Sequence, residues 1–175
     1  MELVKNLKTS KIIKYAFIAL IGSIALAISS KIKIPFYPVP MTMQTLVVLA
    51  IGIIFGWKLG VATISLYLFE GIIGLPVFAG TPEKGIGLVY FTGPTMGYLL
   101  GFIPAVLFAG LLKVNSKYSS IIRFVINFAL YAFSVSFIYI FGLIWLFNFV
   151  PIEKLWTLGA LPFLPAEILK ISILA

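Results

Sequence analysis

Long apolar stretches follow one another along the chain, and short polar or Gly/Pro-rich stretches separate them. An apolar stretch of about 20 residues is long enough to cross a bilayer as an α-helix. The second and the last stretch are shorter than this, so they need a locally thinner bilayer or support from their flanks. The pattern predicts six transmembrane helices, at residues 14–30, 41–55, 57–74, 94–112, 121–147 and 159–175.

Composition excludes an ordinary soluble domain. Of the 175 residues, 62% are hydrophobic and 10% are charged, whereas about a quarter of the residues in an average globular domain are charged. The mean hydropathy is +1.17. We therefore expect an all-α polytopic membrane protein of the cell membrane, with the lipid bilayer around it. Residues 1–175 form one bundle in this prediction, with no sizeable extramembrane domain.

The residue types that are missing limit the available chemistry. The sequence contains no Cys, no His and no Asp, and its five acidic residues are all Glu. A disulfide framework and a thiolate metal site are impossible, and Cys/His or Ser/His catalysis is excluded. We expect no catalytic residue, no metal and no cofactor. A membrane enzyme that uses Glu70 and Glu167 as an acid/base pair is conceivable, but no motif supports it.

The net charge of +8 is explained by membrane topology. With a cytoplasmic N-terminus, the inner flanks of the predicted helices hold eight basic residues and the outer flanks hold four. This bias follows the positive-inside rule, so both termini are predicted to be cytoplasmic and no nucleic-acid partner is expected. The inner set is Lys5, Lys8, Lys11, Lys14, Lys58, Lys113, Lys117 and Arg123, and the outer set is Lys31, Lys33, Lys84 and Lys154.

Three stretches with polar, Pro or Gly residues lie together on the predicted outer side of the membrane. They are the Pro-rich loop PFYPVPMTMQT at 35–45, the Gly/Pro-rich connection at 75–93 and the start of the last helix. Glu167 and Lys170 lie in that helix, three residues apart and therefore on one face. An ionisable residue inside the membrane is a functional candidate because burying it unpaired costs several kcal/mol. The pair either neutralises itself at a helix contact or lines a pocket open to the outside.

Glu70 is a third ionisable residue on this side, in the last turn of the third predicted helix. Three roles are open to it: a place in the pocket, an anchor for a loop, for instance through Lys84, or simple exposure at the membrane interface.

Polar side chains begin the second predicted helix directly after the Pro-rich loop. Prolines fix φ and remove N–H donors, so a short stiff loop can cover a cavity with few unsatisfied groups. Thr42, Gln44 and Thr45 follow, and a Gln amide both donates and accepts hydrogen bonds. Such a site suits a small ligand with an amide-like head and an anionic tail. The alternative is an ordinary membrane-entry loop with Thr42 as the helix cap.

Small residues recur at four-residue spacing on two of the predicted helices. Ala19, Ser23 and Ala27 form such a ridge on the first helix, and Gly97 and Gly101 share a face of the fourth. Small residues allow helices in a membrane to approach closely. The ridge on the first helix serves either packing inside the bundle or the docking of another protein.

Four motifs together resemble those of the BioY family, the biotin-binding S components of energy-coupling factor (ECF) vitamin transporters. They are PVPMTMQT after the first helix, GLPVFAG, GPTMGYLLGF and the Glu-x-x-Lys of PFLPAEILK, and the resemblance extends over about residues 14–175. It implies a six-helix membrane protein that captures biotin from outside, with the first external loop as a lid.

The resemblance also implies protein partners. Family members usually work with a transmembrane coupling subunit and two ATP-binding subunits, although some are thought to act without a dedicated module. Docking through small residues of the first helix would assign this role to Ala19, Ser23 and Ala27. Two positions depart from the family's pattern: Glu167 stands where Asp is more common, and Met96 replaces one Gly of a Gly-Pro-Thr-Gly-Gly-Tyr motif.

The predicted site matches the chemistry of biotin. The ureido ring needs donors and acceptors, the carboxylate needs a cation or N–H groups, and the thiophane ring and aliphatic chain need apolar or aromatic walls. Lys84 is the candidate for the carboxylate. The predicted substrate-binding residues are Glu167, Lys170, Gln44, Thr81, Lys84, Tyr98, Tyr37, Phe78 and Tyr90.

A stand-alone secondary transporter for biotin or another small vitamin-like solute is the alternative function. Transporters of that kind often contain internal repeats and ionisable residues near the middle of the membrane. Here no convincing repeat is found, and the polar residues cluster toward one side. This distribution favours a capture site over a path through the membrane.

Overall fold

The computed structural model describes residues 2–112 and 118–175, with side chains from Lys11 onward in the first helix. The helices are α1 (Glu2–Lys31), α2 (Gln44–Ile72), α3 (Leu88–Phe91), α4 (Met96–Leu111), α5 (Ser120–Leu146), α6 (Ile152–Gly159) and α7 (Leu164–Leu174). A 3₁₀ turn at Leu161–Phe163 joins α6 to α7, and the short strands β1 (Lys33–Ile34) and β2 (Met41–Thr42) form an antiparallel hairpin.

Helix α2 consists of two halves because the chain reverses at Gly56. This residue has φ 74° and ψ 167°, a conformation that is open to Gly and costly for residues with a Cβ. The halves, 44–55 and 57–72, lie side by side, since a Cβ on Gly60 would be 3.6 Å from the Cα of Gly52. They correspond to the second and third predicted helices.

The all-α membrane fold with six helices is confirmed. In the described part of the chain, four segments are long and apolar enough to cross a membrane by length and composition, and α4 is a shorter apolar helix. Counting α2 as two gives six. The four segments are Lys11–Lys31, Gln44–Ile72, Ser120–Leu146 and Ile152–Leu174. Helix α6, at the start of the last one, is an element that the hydrophobic pattern did not predict.

The orientation of the bundle in the membrane stays a prediction, as does the extent of one domain over the whole chain. Four of the inner basic residues used for the orientation lie outside the described part: the side chains of Lys5 and Lys8, and residues Lys113 and Lys117.

Close helix contacts hold the centre of the bundle together. A Cβ on Gly101 would lie 2.6 Å from the Cα of Ile138, and one on Gly97 would lie 3.1 Å from the Cα of Gly142. The backbones of α4 and α5 are therefore in contact, as small residues four apart allow. The predicted contact face of Gly97 and Gly101 is confirmed.

The small-residue ridge of α1 faces the interior of the bundle. Ala19 and Ser23 are 7% and 0% exposed, and Ala27 is half-buried. Beside them, a Cβ on Gly22 would lie 2.6 Å from the side chain of Thr63 in the second half of α2. The ridge thus packs α1 against α2. Docking of a partner subunit on it stays a prediction.

Candidate ligand-binding site

A pocket lies where the starts of α2 and α7 meet the loops at the same end of the bundle. Its empty space is ≈ 540 Å³, a figure that includes the part open to solvent. Polar groups come from Thr42, Gln44, Thr45, Thr95 and Glu167 and from the tyrosines Tyr90, Tyr98 and Tyr139, while the apolar lining includes Val39, Leu99, Phe102, Ile138 and Phe163.

Glu167 and Lys170 form a buried ion pair, as their spacing predicts. They are 4% and 3% exposed, and Lys170 Nζ lies 2.7 Å from Glu167 Oε1. Lys170 also donates to the carbonyl of Thr42 at 2.7 Å and to Thr45 Oγ1 at 2.9 Å. A Lys ammonium has three donors, so this one is fully used by the protein. Lys170 is not among the residues that line the pocket.

The second oxygen of Glu167 accepts no hydrogen bond of normal geometry, although the Tyr139 hydroxyl lies close to this carboxylate. Oε1 accepts hydrogen bonds from Lys170 and, at 2.9 Å, from Thr45 Oγ1. Among the described residues, Oε2 is the only buried side-chain nitrogen or oxygen atom without a hydrogen bond. Leaving such an atom unsatisfied costs about 1–3 kcal/mol, and more when it is charged. Because Glu167 lines the pocket, the structure offers an open acceptor for a ligand there.

Gln44 lines the same pocket and is held at both ends of its amide. It is 3% exposed, its Nε2 donates to the Tyr67 hydroxyl at 2.7 Å, and its Oε1 accepts from Thr42 Oγ1 at 3.2 Å. Tyr67 in turn donates to the carbonyl of Val77 at 3.0 Å. Gln44 therefore lies at the pocket, and its role in binding stays a prediction. Tyr67 behind it was not predicted.

The predicted aromatic walls separate into two layers. Tyr90 and Tyr98 line the pocket, and Tyr98 donates to the carbonyl of Gly159 at 2.7 Å. Phe78 is 1% exposed and stacks behind Tyr90, with ring centroids 4.9 Å apart. Burial raises the pKa of Tyr90, so its hydroxyl stays protonated and donates to the carbonyl of Ala79 at 2.7 Å. Phe78 therefore supports the wall instead of forming it.

Thr81 serves the loop that forms one side of the pocket. Its hydroxyl donates to the carbonyl of Phe78 at 2.7 Å, and it accepts from Lys31 Nζ at 3.0 Å. Lys31 also donates to the carbonyl of Phe78 at 2.9 Å. Thr81 is not a lining residue. Lys31, which the sequence marks only as an outer-flank charge, ties this loop to the end of α1.

A second cavity adjoins the first on its outer side. Its empty space is ≈ 780 Å³, again including open solvent, and it shares Tyr90 and Thr95 with the pocket. Tyr37 and Lys84, both predicted ligand residues, line this cavity together with Phe149. They are exposed. Six of the nine predicted substrate-binding residues line one of these two neighbouring cavities: Gln44, Glu167, Tyr90, Tyr98, Tyr37 and Lys84. Phe78 and Lys170 lie behind lining residues, and Thr81 belongs to the loop beside the pocket.

Glu70 lies outside both linings. Its carboxylate accepts a hydrogen bond from Ser23 Oγ of α1. The ion pair found among the described residues is the one between Lys170 and Glu167, so the possible anchor from Glu70 to Lys84 is not observed. Glu70 instead connects α1 to the second half of α2.

Two lining aromatics were missed by the sequence analysis. Tyr139 and Phe163 pack together with ring centroids 6.2 Å apart. Tyr139 lies in the uninterrupted apolar run of α5, where nothing distinguishes it from its neighbours. Phe163 lies four residues before Glu167 in the PFLPAEILK motif, and that spacing could have placed it on the same face.

Comparison with known proteins identifies the family. The model of the BioY family matches residues 3–175. A protein of Pyrococcus horikoshii named "Probable biotin transporter BioY" is 34% identical over 145 residues, which are 82% of this chain and 81% of the relative. The "Biotin transporter BioY" of Thermotoga maritima is 33% identical over 156 residues, 86% of this chain and 85% of the relative.

A solved structure has the same architecture. The crystal structure of the S-component for biotin from an ECF-type ABC transporter superposes with a TM-score of 0.71 and 27% sequence identity. The match covers 96% of this chain and 88% of the other. Together with the family model, these similarities show that the chain belongs to the BioY family.

Proposed function

We propose that this protein is the substrate-capture S component of an ECF-type biotin transporter, a transport component and not an enzyme. It binds biotin in the pocket between α2 and α7 and delivers it inward, together with an ECF transmembrane coupling subunit and two ATP-binding subunits. The single observation that carries the proposal is the unpartnered Oε2 of Glu167 in a pocket that is otherwise largely apolar.

The polar end of the pocket suits the ureido ring. A carboxylate oxygen accepts from an N–H group, and such charge-assisted hydrogen bonds are stronger than neutral ones. Glu167 Oε2 therefore accepts a ureido N–H. Lys170 fixes the Glu167 carboxylate through Oε1, and its contact with the ligand is indirect, since its three donors already have partners.

The apolar part of the pocket suits the rest of the ring system. Tyr90, Tyr98, Phe102 and Phe163 provide rings against which the thiophane ring and the aliphatic chain can bury apolar surface. Such burial contributes about 25 cal/mol per Å². The carboxylate end then extends to the outer cavity, where Lys84 supplies a positive charge.

In this proposal, the first external loop acts as a lid over the pocket. Val39, Pro40 and Met41 line the pocket, and the β1–β2 hairpin brings the loop back to the start of α2 through pairing of Lys33 with Thr42. Phe36 packs edge-on against Phe163, with ring centroids 5.9 Å apart.

Calorimetric titration of the purified, detergent-solubilised protein with biotin tests the proposal. We expect one-to-one binding of biotin and no heat of binding for thiamine or riboflavin as controls. A folded sample that binds no biotin, or binds the control vitamins equally well, would contradict the assignment of the ligand.

A further inference from the structure

The hydroxyl of Tyr67 determines which groups donate and which accept in a series of hydrogen bonds next to the pocket. Tyr67 is 0% exposed, and its oxygen lies 3.0 Å from the carbonyl of Val77 and 2.7 Å from Nε2 of Gln44. A carbonyl only accepts, and a phenol has one proton. The proton of Tyr67 therefore goes to Val77. Its oxygen is left to accept, so Gln44 must present its NH₂ group to Tyr67.

The other end of the amide agrees with this orientation. Thr42 Oγ1 donates to Gln44 Oε1 at 3.2 Å, and the backbone N–H of Gln44 donates to the same hydroxyl at 3.3 Å. The hydroxyl oxygen accepts from the backbone, so its proton is directed to the amide oxygen. Both ends of the Gln44 side chain are thus assigned, and a flipped amide would place two donors or two acceptors against each other.

One N–H of this amide is left for a ligand. An amide NH₂ has two donors, and Tyr67 takes one of them. Gln44 lines the pocket together with Glu167, and Thr45, the next residue after Gln44, bonds to that carboxylate. The pocket therefore combines one N–H donor with one carboxylate acceptor, which is the complement of a carbonyl flanked by N–H groups.

We propose that Tyr67 is a positioning residue for ligand specificity: it holds the Gln44 amide so that the second N–H donates to the ureido oxygen of biotin while Glu167 Oε2 accepts a ureido N–H. Tyr67 itself is not a lining residue, so it acts through Gln44. This inference rests on the proposed biotin-binding function and adds the source of its selectivity.

Tyr67→Phe is a selective change at this position. The ring packs edge-on against Phe78, with centroids 5.2 Å apart, and Phe keeps this contact. Ser30 Oγ lies 2.8 Å from the carbonyl of Val77 and shares its one proton between that carbonyl and the carbonyl of Ala27 at 2.7 Å. Lys31 also donates to the carbonyl of Phe78, so the loop that contains Val77 stays anchored to α1. The variant therefore frees the Gln44 amide without removing the wall of the pocket.

The experiment compares the dissociation constants of biotin and iminobiotin, in which an N–H replaces the ureido oxygen. In the unmodified protein, we expect a strong preference for biotin. In Tyr67→Phe, we expect biotin binding to weaken roughly tenfold, the effect of losing one oriented hydrogen bond. The preference for biotin over iminobiotin should fall as well, because the released Gln44 amide can turn its oxygen toward the N–H of iminobiotin.

Ser30→Ala is the matched control. It removes the other donor to Val77 and leaves the contact between Tyr67 and Gln44 intact. We expect it to leave the ratio of the two dissociation constants unchanged. Equal falls of this ratio in both variants would assign Tyr67 to loop anchoring and overturn the inference.

A double-mutant cycle with Gln44→Ala gives a second readout. If Tyr67 acts through Gln44, Tyr67→Phe has no further effect on biotin affinity once the amide is gone. Additive losses would overturn the inference. If Tyr67→Phe does not fold, Thr42→Val replaces it in both measurements, because this change releases the other end of the Gln44 amide. An unchanged ratio of the dissociation constants of biotin and iminobiotin would then contradict the inference.

The two proposals fail differently. If the unmodified protein binds no biotin, the proposed function is wrong. If it binds biotin and Tyr67→Phe retains both the affinity and the preference over iminobiotin, only the role of Tyr67 is wrong.

Discussion

Glu167 and Glu70 lie near the same end of the helical bundle, yet their surroundings differ. Glu167 is 4% exposed, is paired with Lys170 and has one oxygen open to a pocket. Glu70 is half-buried and accepts a hydrogen bond from Ser23 of the neighbouring helix. Two residues of the same type thus have different surroundings: Glu167 faces a pocket, where we propose that it recognises the ligand, and Glu70 makes a contact between helices.

The comparison shows which surroundings make an intramembrane carboxylate a binding group. Both glutamates are functional candidates by their position in apolar helices. Only Glu167 combines a counter-charge with an oxygen that the protein leaves without a hydrogen bond.

The largest effect is expected from Lys170→Met, which removes the counter-charge of Glu167. Breaking a buried ion pair on one side leaves an uncompensated charge and costs about 3–5 kcal/mol. We expect a large fall in the midpoint of thermal unfolding in detergent. Lys154→Met, at an exposed position of α6, is the control and should leave the midpoint unchanged. Equal midpoints for the two variants would show that the pair does not stabilise the fold.

Glu167→Gln should weaken biotin binding by roughly 10–100-fold, because a hydrogen bond to a charged group contributes about 1.5–3 kcal/mol. Gln keeps the volume of the side chain and removes its charge. Calorimetric titration measures the change, with Glu153→Gln on the surface of α6 as the control. An affinity within twofold of the unmodified protein would remove Glu167 from the site.

Lys84→Met should weaken biotin binding about two- to fivefold, the modest effect expected of an exposed charge. The loss should shrink as salt is added, because salt screens such interactions. Biotin amide, which lacks the carboxylate, should bind both forms equally. If Lys84→Met weakened the amide and biotin alike, the carboxylate would lie elsewhere.

The smallest effect is expected from Glu70→Gln. Gln retains an acceptor for Ser23, and Glu70 lines neither cavity, so biotin affinity should stay within about twofold, as for a surface substitution away from the site. The same titration that measures Glu167→Gln gives this value. A loss of biotin affinity as large as that of Glu167→Gln would show that the two glutamates contribute equally to binding.

The sequence predicts the helices well because the membrane imposes a simple rule on them. Apolar runs must be about as long as the bilayer is thick, and Gly56 marks the reversal between two of them. Helix α6 escapes this rule because its residues include Glu153 and Lys154 and do not form an apolar run by themselves.

The site was predicted where polar residues interrupt apolar sequence. Glu167, Lys170 and Gln44 stand out for this reason, and the structure brings them together around Thr42 and Thr45. The sequence did not indicate which aromatic residues line the pocket and which lie behind the lining residues. Tyr67 and Tyr139 look like ordinary aromatic residues of a membrane helix, and only packing decides that one orients Gln44 while the other lines the pocket.

The contacts of the small-residue ridge of α1 could not be predicted from the sequence either. Four-residue spacing places Ala19 and Ser23 on one side of the helix, but it does not say what covers that side. The structure shows α2 there, through the bond from Ser23 to Glu70.

The most direct test of the central claim is a structure of the protein with biotin bound. The account predicts a ureido N–H within hydrogen-bond distance of Glu167 Oε2, with Lys170 still bonded to Oε1 and Glu70 still bonded to Ser23. Biotin bound with its ureido ring away from Glu167, or Oε2 still without a partner in the complex, would contradict it.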